Sequence, residues 1–168
     1  MQEFQDLYEK YNQYIYKFLL KLTNFNADLA DELTQETFYQ VFLSLHKYRG
    51  EAGILTWICA IGKNVCCKYY RKNPSMLELN TLDRENQHHS YFRSMEEVAE
   101  QKELSAGIIA EIMKLDEKYR DVLIYRLYFE LTFREISELM NIKENSAKVL
   151  YHRGKNMVRE KMEGYFDE

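Results

Sequence analysis

Residues 131–150 constrain the fold more than any other stretch, because their pattern closes two short helices on each other. Apolar or small residues recur at Ile136, Ser137, Met140, Ile142, Ala147 and Leu150. At helical spacing they make one seam, narrow enough for a tight crossing with a small residue at the closest approach. Thr132 suits the N-cap of the first helix, and Asn145 or Ser146 that of the second, since side-chain oxygens there accept from otherwise unpaired helix N–H groups. Asn141 stands where the turn calls for a left-handed residue, a conformation Asn tolerates. The second helix then carries Lys148, His152, Arg153 and Lys155 outward, an arrangement that fits the major groove.

Such hairpins also occur in helical proteins that never meet DNA, so charge has to decide. Residues 143–161 hold six Lys or Arg against two Glu, a net of +4, whereas residues 98–142 hold six basic against nine acidic, a net of −3. Positive charge gathers on the candidate recognition helix, where phosphate contact needs it. The 168-residue chain as a whole carries −4, which excludes a uniformly basic coat and leaves other faces for partners. One proline and six glycines predict a mainly helical chain.

Several function classes drop out. No apolar run approaches a membrane span, and the polar, acidic N-terminus lacks a signal-peptide pattern, so a cytoplasmic location is expected. Cys59, Cys66 and Cys67 are odd in number and lack Cys-x-x-Cys spacing, while Cys59 and Cys66 are seven apart on one helix face. That favours packing over a disulfide or a metal site. Glycine-rich phosphate loops, paired zinc histidines and nucleophile elbows are absent, and the adjacent His88 and His89 read as a solvated pair. No catalytic residue, metal, cofactor or small-molecule substrate is expected.

Helical periodicity runs through Phe4, Leu7, Tyr11, Ile15, Phe18 and Leu22, breaks at residues 24–26, and resumes from about residue 27 to Leu45. A loop with Gly50 and Gly53 leads to a third helix over residues 54–72, which Asn73 and Pro74 end sharply. Residues 74–97 lose periodicity and carry a net of −3, reading as a flexible linker. Fully extended, such a segment reaches on the order of 80 Å; as a coil it averages about 27 Å. Residues 98–115 and 117–128 read as further helices. The expected fold is all-α: two small helical domains, residues 1–73 and 98–168, on a tether.

Two patches carry the chemistry. Residues 46–72 hold Lys47, Arg49, Lys63, Lys68, Arg71 and Lys72 against Glu51 alone, a net of +5, interleaved with Trp57, Asn64, Tyr69 and Tyr70. Cations neutralise phosphate, Asn reads base edges and aromatics stack on unpaired bases; Trp57 itself reads better as a core anchor. Residues 1–45 carry a net of −4, with Asp28, Asp31, Glu32 and Glu36 within about two helical turns. That face could dock a basic partner, although acids at a helix start also complement its dipole.

Together these segments resemble a known family. Asp31, Glu32, Leu33, Thr34, Gln35, Glu36, Thr37 and Phe38, then Tyr48, Arg49, Gly50 and Glu51, then Thr56, Trp57 and Ile58, then Ile61, Gly62, Lys63 and Asn64 are similar to region 2 of extracytoplasmic-function sigma factors of the sigma-70 family. Leu115 through Leu123, Leu131 through Ile136, and His152, Arg153, Gly154 and Lys155 resemble their region 4. The resemblance implies a dissociable specificity subunit of bacterial RNA polymerase. On that analogy Asp31, Glu32, Gln35, Glu36 and Phe38 bind the β′ clamp coiled coil. The loop with Tyr48, Arg49, Gly50 and Glu51 captures a flipped base of the minus-10 element, and Asn64 and Lys68 read bases. Lys63, Arg71 and Lys72 are added from charge as backbone contacts.

The second domain would meet the β flap and read the minus-35 element through Ser146, Lys148, Val149, His152, Arg153 and Lys155. A cognate anti-sigma factor is a further implied partner beside promoter DNA. The two elements lie roughly 16 base pairs apart, on the order of 55 Å at about 3.4 Å per pair, which an extended linker spans. Flipping a base costs a few kcal/mol, which a loop pocket would offset. Departures from the family stand at Val149 and Leu150, where a small polar residue and Arg are usual, and at Cys66 and Cys67. An activator that binds duplex DNA without conferring initiation, or a helical adaptor, are the rival classes.

Overall fold

The computed structural model describes the backbone of residues 2–79 and 95–166, and the side chains of residues 2–77 and 105–163. Helix α1 (Gln2–Leu22) buries Ile15, Phe18, Leu19 and Leu22. The chain turns through Asn24 and Phe25, both left-handed at φ 52° and 62°. The Phe25 N–H donates back to the Leu20 carbonyl at 2.8 Å, closing the helix end. Asn26 caps α2 (Ala27–Ser44) by accepting from the Leu29 N–H at 3.0 Å. After a 3-10 turn (Leu45–Lys47) and the glycine loop comes α3 (Ile54–Lys72), with the bounds expected from periodicity. The Tyr70 hydroxyl donates to the Leu22 carbonyl at 3.0 Å and pins the end of α3 to the end of α1.

The segment expected to be an aperiodic linker begins instead with a short helix, α4 (Ser75–Leu79). Pro74 favours a new first turn, since its missing N–H is not needed there. The rest of the linker reading, with His88 and His89, lies outside the described residues. Helix α5 (Met95–Lys114) starts three residues before the expected position, followed by α6 (Glu117–Leu127), α7 (Phe133–Met140) and α8 (Glu144–Phe166).

The two helical units do not stand apart. Their buried residues form one continuous apolar cluster from Ile15 to Val158. Phe129, in the loop after α6, stacks on Phe18 of α1 with ring centres 5.5 Å apart. It also lies against Gly62 of α3, where a Cβ would sit 3.6 Å from its ring. A Cβ at 62 would make ordinary van der Waals contact with Phe129 and Thr37, so the surface of α3 is close-packed here. Cys59 and Cys66 are wholly buried on the shared face of α3, as their spacing implied. Burial pushes the Cys59 thiol up to about 12 and Cys66 well above its usual value, so both pack as small apolar groups.

Candidate nucleic-acid interface

On α2 the inward residues Leu33, Thr34, Thr37 and Phe38 leave Asp31, Glu32, Gln35 and Glu36 on the outer face. The buried hydroxyls of Thr34 and Thr37 each donate to the carbonyl four residues back at 2.6 Å, so burial leaves neither unmet. Gln35 donates to Asp31 at 2.9 Å and Gln40 to Glu36 at 2.8 Å, holding the acids in a row. Phe38 corrects the expectation: it is 2 % exposed, edge-on to Tyr8 at 5.0 Å, and belongs to the core rather than a docking face. The outer face is continued by Tyr39, Phe42 and Leu43, about half exposed. Phe42 has Phe4 of α1 as its ring neighbour, at 5.2 Å.

Across a cleft of about 830 Å³ lies the basic face of α3. Asn64, Lys68, Arg71 and Lys72 are exposed and spaced four, three and one apart, which puts them on one side of the helix. Glu32, Glu36 and Tyr39 line one wall of the cleft, with Asn64, Lys68 and Lys72 on the other. The loop before α3 presents Arg49, Gly50 and Glu51 to solvent, with Gly50 at φ +73°, a backbone that other residues adopt only with strain. Tyr48 shapes it by donating to the Ala52 carbonyl at 2.6 Å and tilting against Trp57 at 5.2 Å. Trp57 thus anchors the loop, in keeping with its reading as a packing residue.

Lys63 is the second correction. Expected among the DNA-backbone contacts, it is 4 % exposed, with its ammonium 2.6 Å from Asp121 Oδ2 of α6 and 5.3 Å above the Tyr125 ring. Arg120 Nε reaches the other oxygen of Asp121 at 3.3 Å. Sequence spacing put Lys63 next to Asn64 in the chain, but one residue along a helix is a turn of about 100°, enough to aim it the other way.

The helix-turn-helix follows its local signals. Thr132 caps α7 in a reciprocal box: the Glu135 N–H donates to its hydroxyl at 3.2 Å, and its own N–H donates to Glu135 Oε2 at 2.8 Å. Asn141 is left-handed at φ 51°, ψ 49°. The second helix starts at Glu144, so Asn145 and Ser146 sit inside its first turn instead of capping it. Ala147 is fully buried at the crossing, and Gly154 lets α8 lie on α6, where a Cβ would meet Leu123 at 3.1 Å. Outward stand Ser146, Val149, His152, Arg153 and Lys155; Val149 is 47 % exposed. Lys148 is half-buried and paired with Glu144 at 2.9 Å.

Burial works against ionisation of Glu135, but hydrogen bonds from the Thr132 N–H and from the Thr132 and Thr56 hydroxyls outweigh it and hold the carboxyl below its ordinary value. The Thr56 contact, 3.4 Å, comes from the first turn of α3 in the other unit.

Comparisons with known proteins give the same order of parts. Residues 7–75 match the family model for sigma-70 region 2, and residues 105–158 that for sigma-70, region 4. The chain is 26 % identical over 158 residues to RNA polymerase sigma factor YlaC of Bacillus subtilis, covering 94 % of this chain and 91 % of that one. It is 28 % identical over 163 residues to the ECF RNA polymerase sigma factor SigX of the same organism, covering 95 % and 84 %. Its fold is similar to that of CnrH, solved in complex with the cytosolic domain of CnrY, at 13 % identity and a TM-score of 0.59, covering 97 % of this chain and 89 % of that one. It is similar also to the sigma factor RpoE from Bartonella quintana, solved with the anti-sigma factor NepR, at 13 % identity and a TM-score of 0.58, covering 97 % and 98 %.

Proposed function

The chain belongs to the sigma-70 family, among its extracytoplasmic-function members, and directs RNA polymerase to promoters; from that premise we propose how its residues divide the work. Asp31, Glu32, Gln35 and Glu36, continued by Tyr39, Phe42 and Leu43, dock on the polymerase β′ clamp coiled coil. The acids give orientation and the half-exposed apolar residues give area. Asn64 and Lys68 read the minus-10 element, with Arg71 and Lys72 on its backbone. The loop of Tyr48, Arg49, Gly50 and Glu51 receives the flipped base. Ser146, Val149, His152, Arg153, Lys155 and Lys148 face the minus-35 duplex, while the second unit meets the β flap.

The observation that carries this reading is adjacency: an acidic row and a basic row face each other across one cleft on a three-helix unit. A single small body can therefore hold polymerase with one wall and promoter with the other. The protein contributes binding and strand capture, while bond formation belongs to the polymerase; it works in the cytoplasm. No described helix is long and apolar enough to cross a membrane. Because the sigma factor RpoE from Bartonella quintana is solved with the anti-sigma factor NepR, a cognate anti-sigma factor is proposed as the negative regulator. The test is reconstitution with core polymerase and a promoter found by mapping start sites after induced expression. A promoter-dependent transcript is expected; its absence, with intact binding of duplex DNA, would favour an activator.

A further inference from the structure

We propose that Val149 is a specificity-determining residue of the recognition helix, taking up the C5 methyl group of a thymine in the minus-35 duplex. It rests on the reading of α8 as the minus-35 helix and deepens it. Ala147, Gly154 and Val158 are buried and mark the inner seam of α8. Val149 follows Ala147 by two residues, about 200° round the helix, so it points away from that seam. The same outward face holds Asn145, Ser146, His152, Arg153 and Asn156, all exposed. Each of these has a polar side-chain atom for a base edge or a phosphate; Val149, in their midst, has none. Leu150 differs: it is half-buried and packs against the core. Val149 also stands in the second turn of α8, near the end of a recognition helix that meets base edges in the major groove.

Singly exposed apolar side chains are ordinary on protein surfaces; position is what gives this one a ligand. In the major groove every base pair presents hydrogen-bonding groups, and thymine adds an apolar one, its C5 methyl. Val149 is 47 % exposed and has surface to bury. Set against a polar base edge, its methyls would strip water from a donor or acceptor and return no hydrogen bond. Against the thymine methyl, two apolar surfaces leave water together. Preference thus comes from a penalty at the wrong base as well as a gain at the right one. The β-branched side chain has one strongly preferred χ1 in a helix, so docking it costs little rotamer freedom. Met157, the other exposed large apolar residue among those described on α8, lies about 80° round from Val149 and off this face.

The test uses the full-length chain with core polymerase on a promoter found by start-site mapping. Each thymine of the upstream element, on either strand, is replaced in turn by deoxyuridine, which removes only the methyl group. One such replacement is expected to weaken wild-type binding by about fourfold, the effect of one buried methyl. Val149→Ala, at an exposed site where alanine suits the helix, is expected to weaken binding of the unmodified promoter by at least as much. It is expected to be indifferent to that uracil. At the same position 5-methylcytosine is expected to bind the wild type more tightly than cytosine does, with the advantage lost in Val149→Ala.

An upstream element with no methyl-sensitive thymine would overturn the proposal. So would a uracil effect of equal size in wild type and Val149→Ala, since another residue or the shape of the duplex would then sense the methyl. Arg153→Ala separates this inference from the reading beneath it. If Arg153→Ala weakens promoter binding while every uracil is neutral, α8 reads the element without Val149. If neither Arg153→Ala nor Val149→Ala has an effect, α8 is not the minus-35 helix, and the role of Val149 falls with that reading.

Discussion

Helices α3 and α8 are both basic, of 19 and 23 residues, yet the structure treats them differently. α3 is enclosed on one side by α1, α2, α6 and α7, and one of its cations is consumed inside the molecule. α8 rests on α5, α6 and α7 and keeps its outer row of His152, Arg153 and Lys155 open. Both helices nonetheless keep a row of cations open to solvent, Lys68, Arg71 and Lys72 on α3 beside those of α8. Basic charge on a helix is thus a necessary condition for a grip, and packing against neighbouring elements decides which of its cations can take part.

The strongest way to break the contrast is to remove the platform under α8. Ile136→Ala empties a fully buried site in α7 and is expected to cost about 2–5 kcal/mol. Denaturant unfolding should show one shifted transition, because the two units share a core; two separate transitions would show that the units fold independently. Next comes Arg153→Ala, expected to weaken binding of a minus-35 duplex by about 1–3 kcal/mol if it reads a base. That loss should appear with the free chain. Lys72→Ala on α3 should instead act mainly in the presence of core polymerase, lowering the salt dependence of promoter binding by about one phosphate contact. Equal effects of the two in the free chain would show that both rows bind duplex DNA alike.

Thr132→Ala removes the capping box and is expected to cost about 1 kcal/mol, read as a lower melting temperature with the register of α8 unchanged. The smallest effect is on pH. The Glu135 carboxyl is held below its ordinary value in the folded chain, so its stabilisation is complete above the unfolded carboxylate range and is lost as pH falls through the folded value. Acid titration should loosen the α7 cap, and with it the Thr56 contact, while Glu135→Gln should flatten that part of the curve.

Helix positions were largely legible because their causes are local. The bounds of α3, the Thr132 cap and the left-handed Asn141 each depend on residues within four positions, through hydrogen bonds that repeat every turn. The two sigma regions were legible for a related reason: motifs of chemistry-bearing residues recur in fixed order along the chain. Misreadings fell where a side chain's neighbour is distant in sequence. Phe38 shares a stretch with the docking acids, yet its ring partner is Tyr8 on another helix. The start of α8 was placed late because Asn145 and Ser146 make good caps in isolation, whereas the Ala147 N–H already donates to the Lys143 carbonyl at 3.1 Å.

By itself, then, the sequence determined an all-α chain, its two sigma regions, and which residues carry charge on which helix, since all of these follow from periodicity and composition over a few turns. Only the tertiary structure decided which of those charges face outward. Lys63 and Asp121 are 58 residues apart, and their 2.6 Å contact exists because two amphipathic units bury their apolar faces on each other, with Phe129 stacked on Phe18 between them. Burial is a property of the packed whole, so a lysine that reads as a phosphate contact in the chain becomes, in the fold, the partner of an aspartate.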